Sequence, residues 1–157
     1  PTLEFEPVDM TELMARIQRE TDALRKPVRL LTEAQKGLVV EAVPRYLHRI
    51  IQNLVGNGLR YAETTVKASV SEVSGWAVLV VEDDGPGIPE ESRERIFEPF
   101  IRLDDSRTRS TGGYGLGLSI VNRIAFWFGG DIKVSRSETL GGARFVVRWP
   151  AQRQPGF

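Results

Sequence analysis

Residues 82–114 carry no hydrophobic period, yet they lie between two strongly apolar segments of a 157-residue chain. Before them, Trp76 to Val81 is almost wholly apolar and reads as a central strand. After them, Leu116, Ile120, Val121, Ile124 and Phe128 form a helical stripe that Gly129-Gly130 stops. The aperiodic stretch opens with the glycine- and proline-rich run Glu82-Asp83-Asp84-Gly85-Pro86-Gly87-Ile88-Pro89. Its second part, 101–114, is polar and ends in Thr111-Gly112-Gly113. A long loop of this kind inside a compact domain is a lid or a binding loop. The fold therefore has to suspend it from the end of a sheet.

The remaining segments supply that sheet and its cover. Leu3–Phe5 is a short strand candidate. Asp9 and Glu12 resemble a capping box, and Leu13, Met14, Ile17 and Leu24 follow as a helical stripe to about residue 25. Val28–Leu31 and Leu38–Ala42 are strand candidates with Gly37 turning between them. Pro44 suits the first turn of a helix running to about Tyr61, with Leu47, Ile50, Ile51, Leu54 and Gly58 on one side. Val66, Ala68 and Val70 alternate with polar residues, and Ser74-Gly75 turns the chain into Trp76–Val81. Ile132–Ser135 and Ala143–Trp149 flank Gly141-Gly142, and the segment from Ala151 reads as a frayed tail. The pattern predicts a single α/β domain over 3–150: a two-layer α/β sandwich in which a mixed, mostly antiparallel sheet packs against three helices.

Composition narrows the class of partner. Lys plus Arg equals Asp plus Glu at 21 each, so no net charge draws the chain to nucleic acid or an anionic membrane. There is no cysteine, which excludes disulfides and thiolate zinc sites. No apolar run is long enough to span a bilayer, so no direct membrane contact is expected. Pro1-Thr2-Leu3-Glu4 is neither a signal peptide nor an initiator sequence and reads as a cut inside a longer parent.

Four clusters carry chemistry. On the second helix Asn53 and Asn57 are four apart and share a face with Arg60. An amide oxygen there can bind Mg²⁺ without adding charge, although two asparagines on a helix are also ordinary surface residues. In the second cluster Asp84 emerges where the sheet ends. An ionised carboxylate only accepts hydrogen bonds, so it favours an amino-bearing base over a keto one, and Gly85 and Gly87 let a flat ring approach the backbone. A tight turn with solvated acids is the alternative. The third, Arg95-Ile96-Phe97-Glu98-Pro99-Phe100-Ile101-Arg102, fits a hydrophobic hinge or simple packing. The fourth runs Gly113-Tyr114-Gly115-Leu116-Gly117-Leu118 into a helix, giving bare N–H groups at a helix N-terminus suited to phosphates. It fits neither the P-loop nor the dinucleotide-binding spacing. Arg102, Arg107 and Arg109 precede it and can swing onto phosphates or stay solvated.

Taken in this order, the clusters resemble the N, G1, F and G2 boxes of sensor histidine kinases, within the larger family shared with gyrase B, heat-shock protein 90 and MutL. Asn53, Asn57, Arg60 and Tyr61 are similar to the N box; the run ending Asp84-Gly85-Pro86-Gly87, with Asp84 as its acid, to G1; Phe97, Pro99 and Phe100 to F; Gly113, Gly115, Gly117 and Leu118 to G2. The Arg102-Leu103-Asp104-Asp105-Ser106-Arg107 segment is similar to that of the EnvZ and RstB type. Residues 1–8 resemble the junction after dimerisation helices, leaving 151–157 as a tail. The resemblance implies a Bergerat-type ATP-binding fold with ATP and Mg²⁺ as cofactors. Asn57 then holds the metal and Asp84 the adenine amino group. Asn53 and Arg60 line the phosphates and, together with Asn57, are the catalytic groups, with Tyr61 and Ile88 beside the nucleotide. The remaining binding residues are Gly85, Gly87, Arg102, Arg107, Gly113, Gly115, Leu116, Gly117 and Leu118. The implied activity is phosphoryl transfer to a histidine on a dimerisation domain of the same parent, and from there to a response regulator. The implied setting is the cytoplasmic side of an inner-membrane sensor, with the isolated domain monomeric.

Two positions qualify that expectation. The ATPase relatives carry a glutamate base where this chain has Asn53, which implies little hydrolysis without a histidine acceptor. Gly56 stands where an acid often precedes the second asparagine, which puts part of the transfer efficiency in doubt. The only histidine, His48, lies inside the N box rather than in an acceptor pattern and reads as structural, so transfer within this chain is not expected. Three other readings remain open: a catalytically silent nucleotide-binding module, a gyrase- or chaperone-type ATPase, and an anti-sigma serine kinase. Transfer to a supplied dimerisation domain separates the first, and steady phosphate release the second. The third is usually a shorter protein without the junction seen at 3–9.

Overall fold

The computed structural model describes residues 3–99 and 117–153. In chain order these form β1 (Glu6–Asp9), α1 (Met10–Asp22), β2 (Arg29–Ala34), β3 (Val39–Ala42), α2 (Pro44–Tyr61), β4 (Thr65–Val73), β5 (Trp76–Asp83), α3 (Gly117–Trp127), β6 (Asp131–Arg136) and β7 (Ala143–Pro150). Two short 3₁₀ turns, at Glu90–Ser92 and Arg95–Phe97, follow β5. The main sheet has the order β2-β4-β5-β7-β6. Only β2 and β4 run parallel; the other neighbours are antiparallel, as the alternating pattern predicted.

Period-2 alternation decides which face is covered. Val66, Ala68 and Val70 of β4, Ala77, Leu79 and Val81 of β5, and Phe145, Val147 and Trp149 of β7 are all buried. Leu47, Ile50, Ile51 and Leu54 of α2 and Leu118, Val121 and Ile124 of α3 close over them, so the helices form one layer and the sheet the other. Fully burying aliphatic side chains of this size contributes about 1.5–3 kcal/mol each.

Local signals set the element ends. The Asp9 side chain accepts from the Glu12 amide at 3.2 Å and starts α1. Pro44 opens α2 at a position where its missing N–H costs nothing. Ser74 and Gly75 both take positive φ, 51° and 85°, which matches the twist of a two-residue hairpin between β4 and β5.

The structure differs from the sequence expectation at both ends. Leu3–Phe5 is not a strand; β1 begins at Glu6, opposite Ala42, and pairs with β3 in a separate two-stranded ladder. Residues 3–5 have no strand beside them, and Phe5 is held instead by its ring, edge-on to Phe128 at 5.5 Å. Nor is the chain frayed from Ala151. Ala151 is buried, donates its N–H to the Gly75 carbonyl at 2.9 Å and accepts from the Glu41 amide at 2.8 Å. The Arg153 amide donates to the Glu41 carboxylate, and the Arg153 guanidinium lies 3.8 Å from the Phe5 ring centre.

Candidate functional site

The apolar stripe of α2 turns its opposite edge toward the first turn of α3. There the Asn53 amide donates to the Gly117 carbonyl at 3.3 Å. One turn later Asn57 is 9% exposed, a polar group set almost entirely within the core layer. Arg60 lies exposed in the last turn, and Tyr61 is partly buried at the end of the helix. The first and fourth sequence clusters thus meet: the amide-bearing face of α2 and the glycine-led start of α3, where Leu118 is buried beneath. A helix N-terminus presents N–H groups and a partial positive charge, so this corner suits anionic oxygens.

The acid of the second cluster needs correction. Asp84 is turned onto the backbone that follows α2. Its Oδ1 accepts the backbone amides of Glu63, Thr64 and Thr65 at 2.9, 3.0 and 3.2 Å, and its Oδ2 accepts the Thr64 amide at 3.2 Å and the Thr64 hydroxyl. These bonds, the Thr64 hydroxyl first, hold its carboxyl down at about 2. Asp84 fastens the link between α2 and β4 to the end of β5. The neighbouring Asp83 has the other environment. Alternation along β5 puts it on the core side with Ala77, Leu79 and Val81, and it is 3% exposed. Burial pushes its carboxyl up, against the amides of Gly85 and Ala143, which both donate to Oδ1 at 2.8 and 3.3 Å. Counting back from Gly87 and Gly85 in the spacing acid-x-Gly-x-Gly also reaches Asp83 and not Asp84.

The backbone is drawn tight around Asp83. A Cβ on Gly142 would sit 2.3 Å from Asp83 Oδ1, and one on Gly85 would sit 2.4 Å from the Tyr61 carbonyl oxygen. Neither position has room for a side chain. A cleft of about 580 Å³ opens beside them, bounded by Tyr61, Gly87, Ile88, Arg93, Arg136 and Gly142. It gathers Tyr61, Gly87 and Ile88 of the expected binding residues, and Gly142, in its wall, touches Asp83. Phe97 of the third cluster packs edge-on against Phe145 at 6.3 Å, the packing alternative for that segment. Arg102, Arg107, Gly113, Gly115 and Leu116, with Phe100 and Ile101, lie outside the described residues.

His48 is held on the far side of α2. Its Nε2 lies 2.9 Å from Glu20 Oε1, linking α2 to α1, and this contact lowers the Glu20 carboxyl below its ordinary value. Sequence reasoning missed Asp83, Gly142 and the loop that carries Gly142. The first was accessible from strand alternation; the others depend on a β6–β7 turn far away in the sequence.

Comparison with known proteins fixes the class. Residues 42–153 match the family described as histidine kinase-, DNA gyrase B-, and HSP90-like ATPase, and the chain belongs to that family. Within it, the chain is 52% identical over 125 residues to the sensor protein RstB of Escherichia coli (strain K12), a match covering 80% of this chain and 28% of RstB. It is 39% identical over 111 residues to the sensor histidine kinase CpxA of the same organism, covering 71% of this chain and 24% of CpxA. The chain therefore spans about a quarter of these relatives. The nucleotide-free catalytic domain of histidine kinase ThkA superposes with a TM-score of 0.80 at 28% identity, covering 96% of this chain and 99% of that one. Full-length ShkA in complex with AMPPNP superposes with a TM-score of 0.81 at 28% identity, covering 99% of this chain and 33% of ShkA. Among the described residues no helix is long and apolar enough to cross a membrane.

Proposed function

We propose that this chain is the catalytic domain of a sensor histidine kinase, binding Mg-ATP and delivering its γ-phosphoryl group to a histidine on a dimerisation domain of the same parent. The observation that carries this reading is the Asn53–Gly117 contact, because it joins the amide-bearing helix to a glycine-led helix start at a single corner. Phosphates placed there meet N–H donors from α3 and the Asn53, Asn57 and Arg60 side chains from α2. The metal fits the same corner. Among the described residues no cluster of three acidic, histidine or cysteine ligands exists, and the amide oxygen of Asn57 is a sparse, neutral donor. Such a site suits an ion that keeps waters and arrives on the phosphates. When bound, the ion neutralises charge on the β- and γ-oxygens. The protein's share is to orient them and exclude water.

The base is read by Asp83. With Oδ1 taken by two backbone amides, Oδ2 is left to accept the exocyclic amino group of adenine, and a 6-keto purine would set two acceptors against each other. Asn53 stands where a hydrolytic relative needs a base; an amide takes no proton at neutral pH, which leaves the γ-phosphoryl group for a histidine. The partner helix is assigned to the groove of about 400 Å³ lined by Tyr46, Arg49, Pro99, Ile120, Arg123 and Trp127, next to the hinge cluster. We place the parent at a membrane with this domain on the cytoplasmic side, and the response regulator receives the phosphoryl group from the dimerisation domain.

Calorimetric titration with ATP and GTP in the presence of Mg²⁺ tests the pocket. Asp83→Asn should weaken ATP binding by about 1.5–3 kcal/mol, the range for a hydrogen bond to a charged group, while Asp84→Asn should leave it nearly unchanged. Transfer of labelled phosphate to a supplied dimerisation domain tests the reaction. Steady phosphate release without that domain, or no transfer with it, would overturn the kinase reading.

A further inference from the structure

Behind Asp83 lies a polar cluster that no catalytic step uses. Ser137 follows β6 and is completely buried, an unusual place for a serine in a surface turn. Its hydroxyl donates to Glu82 Oε1 at 2.8 Å and accepts the Leu140 amide at 3.0 Å. Its own amide donates to the Gly142 carbonyl at 2.8 Å, and its carbonyl accepts the Gly141 amide at 2.8 Å. The 137–142 turn is thus closed on itself by Ser137. Glu82, on the sheet face opposite Asp83, takes the Ser137 hydroxyl, and Arg144 Nε stands 3.9 Å from the same oxygen. The closed turn then delivers two contacts to Asp83. The Gly142 amide donates to the Asp83 carbonyl at 3.0 Å, and the next amide, of Ala143, donates to Oδ1.

The geometry points to Ser137 and Glu82 as positioning residues for purine recognition: through the 137–142 turn they lock the backbone that fixes the Asp83 carboxylate, and so set the preference for a 6-aminopurine over a 6-oxopurine. This assignment rests on the reading of Asp83 as the base acceptor. Neither side chain lines the cleft. They act on the angle at which Oδ2 is presented. A carboxylate free to rotate would still be charged, but its acceptor would lose the fixed direction on which discrimination between amino and keto groups depends.

The test pairs protein variants with a ligand lacking the contacted group. Dissociation constants of Mg-ATP and of purine riboside triphosphate, which has hydrogen at position 6, are measured on this chain by NMR titration, so that millimolar binding is resolved. Ser137→Ala should weaken ATP about three- to tenfold, the scale of one buried hydrogen bond, and leave the 6-hydrogen nucleotide unchanged. Ser137→Thr, which retains the hydroxyl, should restore ATP binding. Glu82→Gln, which keeps an acceptor oxygen for Ser137, should fall between wild type and Ser137→Ala, and it serves if Ser137→Ala fails to fold. Equal weakening of both nucleotides, or unchanged ATP binding in a folded Ser137→Ala or Glu82→Gln protein, overturns the positioning role. If instead Asp83→Asn itself leaves ATP binding unchanged, the base-acceptor reading fails and this proposal falls with it.

Discussion

The side-chain amide of Asn53 donates to the carbonyl of Gly117, 3.3 Å away, and so ties the middle of α2 to the first residue of α3. The bond needs a donor on residue 53. Asn53→Asp removes that donor and sets a carboxylate against a carbonyl oxygen, so urea unfolding should show a loss of about 1–3 kcal/mol, with Asn53→Ala losing less. Nucleotide binding should fall further in the aspartate variant, because its charge would repel phosphates placed at this corner as proposed.

The adjacent acids Asp83 and Asp84 respond to pH with opposite signs. The Asp84 carboxyl is depressed to about 2, so its stabilisation is fully present above the ordinary aspartate value and is lost as pH falls from there toward about 2. Asp84→Asn should lower the urea midpoint at neutral pH and flatten the acid limb. Asp83 is raised by burial, so it opposes folding at neutral pH, and that penalty is relieved as pH falls through its raised value. With Asp83 as the proposed base acceptor, ATP binding should weaken as pH falls through that raised value, and calorimetry at a series of pH values should show the trend. Asp83→Asn should abolish that pH dependence without lowering stability at neutral pH.

Ending the chain at Pro150 should cost stability although the sheet stays whole. Two backbone bonds at Ala151, the Arg153 amide bond and the Arg153–Phe5 contact would be lost. A drop of about 1–3 kcal/mol in urea unfolding is expected.

Gly56 is exposed inside α2, and a Cβ built there meets nothing within 4 Å. Gly56→Ala should stabilise the domain by about 0.5–1 kcal/mol through helix propensity alone. Gly56→Asp should fold, bind ATP as before, and raise the rate of transfer to a supplied histidine domain. An unchanged rate would show that the missing acid has no part in transfer.

The elements that sequence reasoning located well are those whose signals are local. Pro44 and the 3.6-residue stripe gave α2 its limits, Asp9 capped α1, and Ser74-Gly75 turned the central hairpin. Asn53, Asn57 and Tyr61 ride on those elements, so their place along α2 could be read from the sequence. The end of β5 was placed too early, because a glycine-rich run was taken to start the loop at Glu82. The alternation of Ala77, Leu79 and Val81 in fact continues to Asp83. The Ser137–Glu82 pair and the docking of Ala151 join residues far apart in the chain, and no local pattern marks them.

The small ladder at the start of the chain has a mechanical consequence. β1 grips β3, and one residue, Val43, separates β3 from the first turn of α2. The helix then runs unbroken to Tyr61, so it is a rod with its base at the ladder and its amides partway along. At 1.5 Å per residue Asn57 stands about 20 Å from Pro44, and a tilt of about 10° at the base would sweep it through about 3 Å. Whatever turns the incoming strand therefore works a lever whose far arm carries the amide proposed to hold the metal.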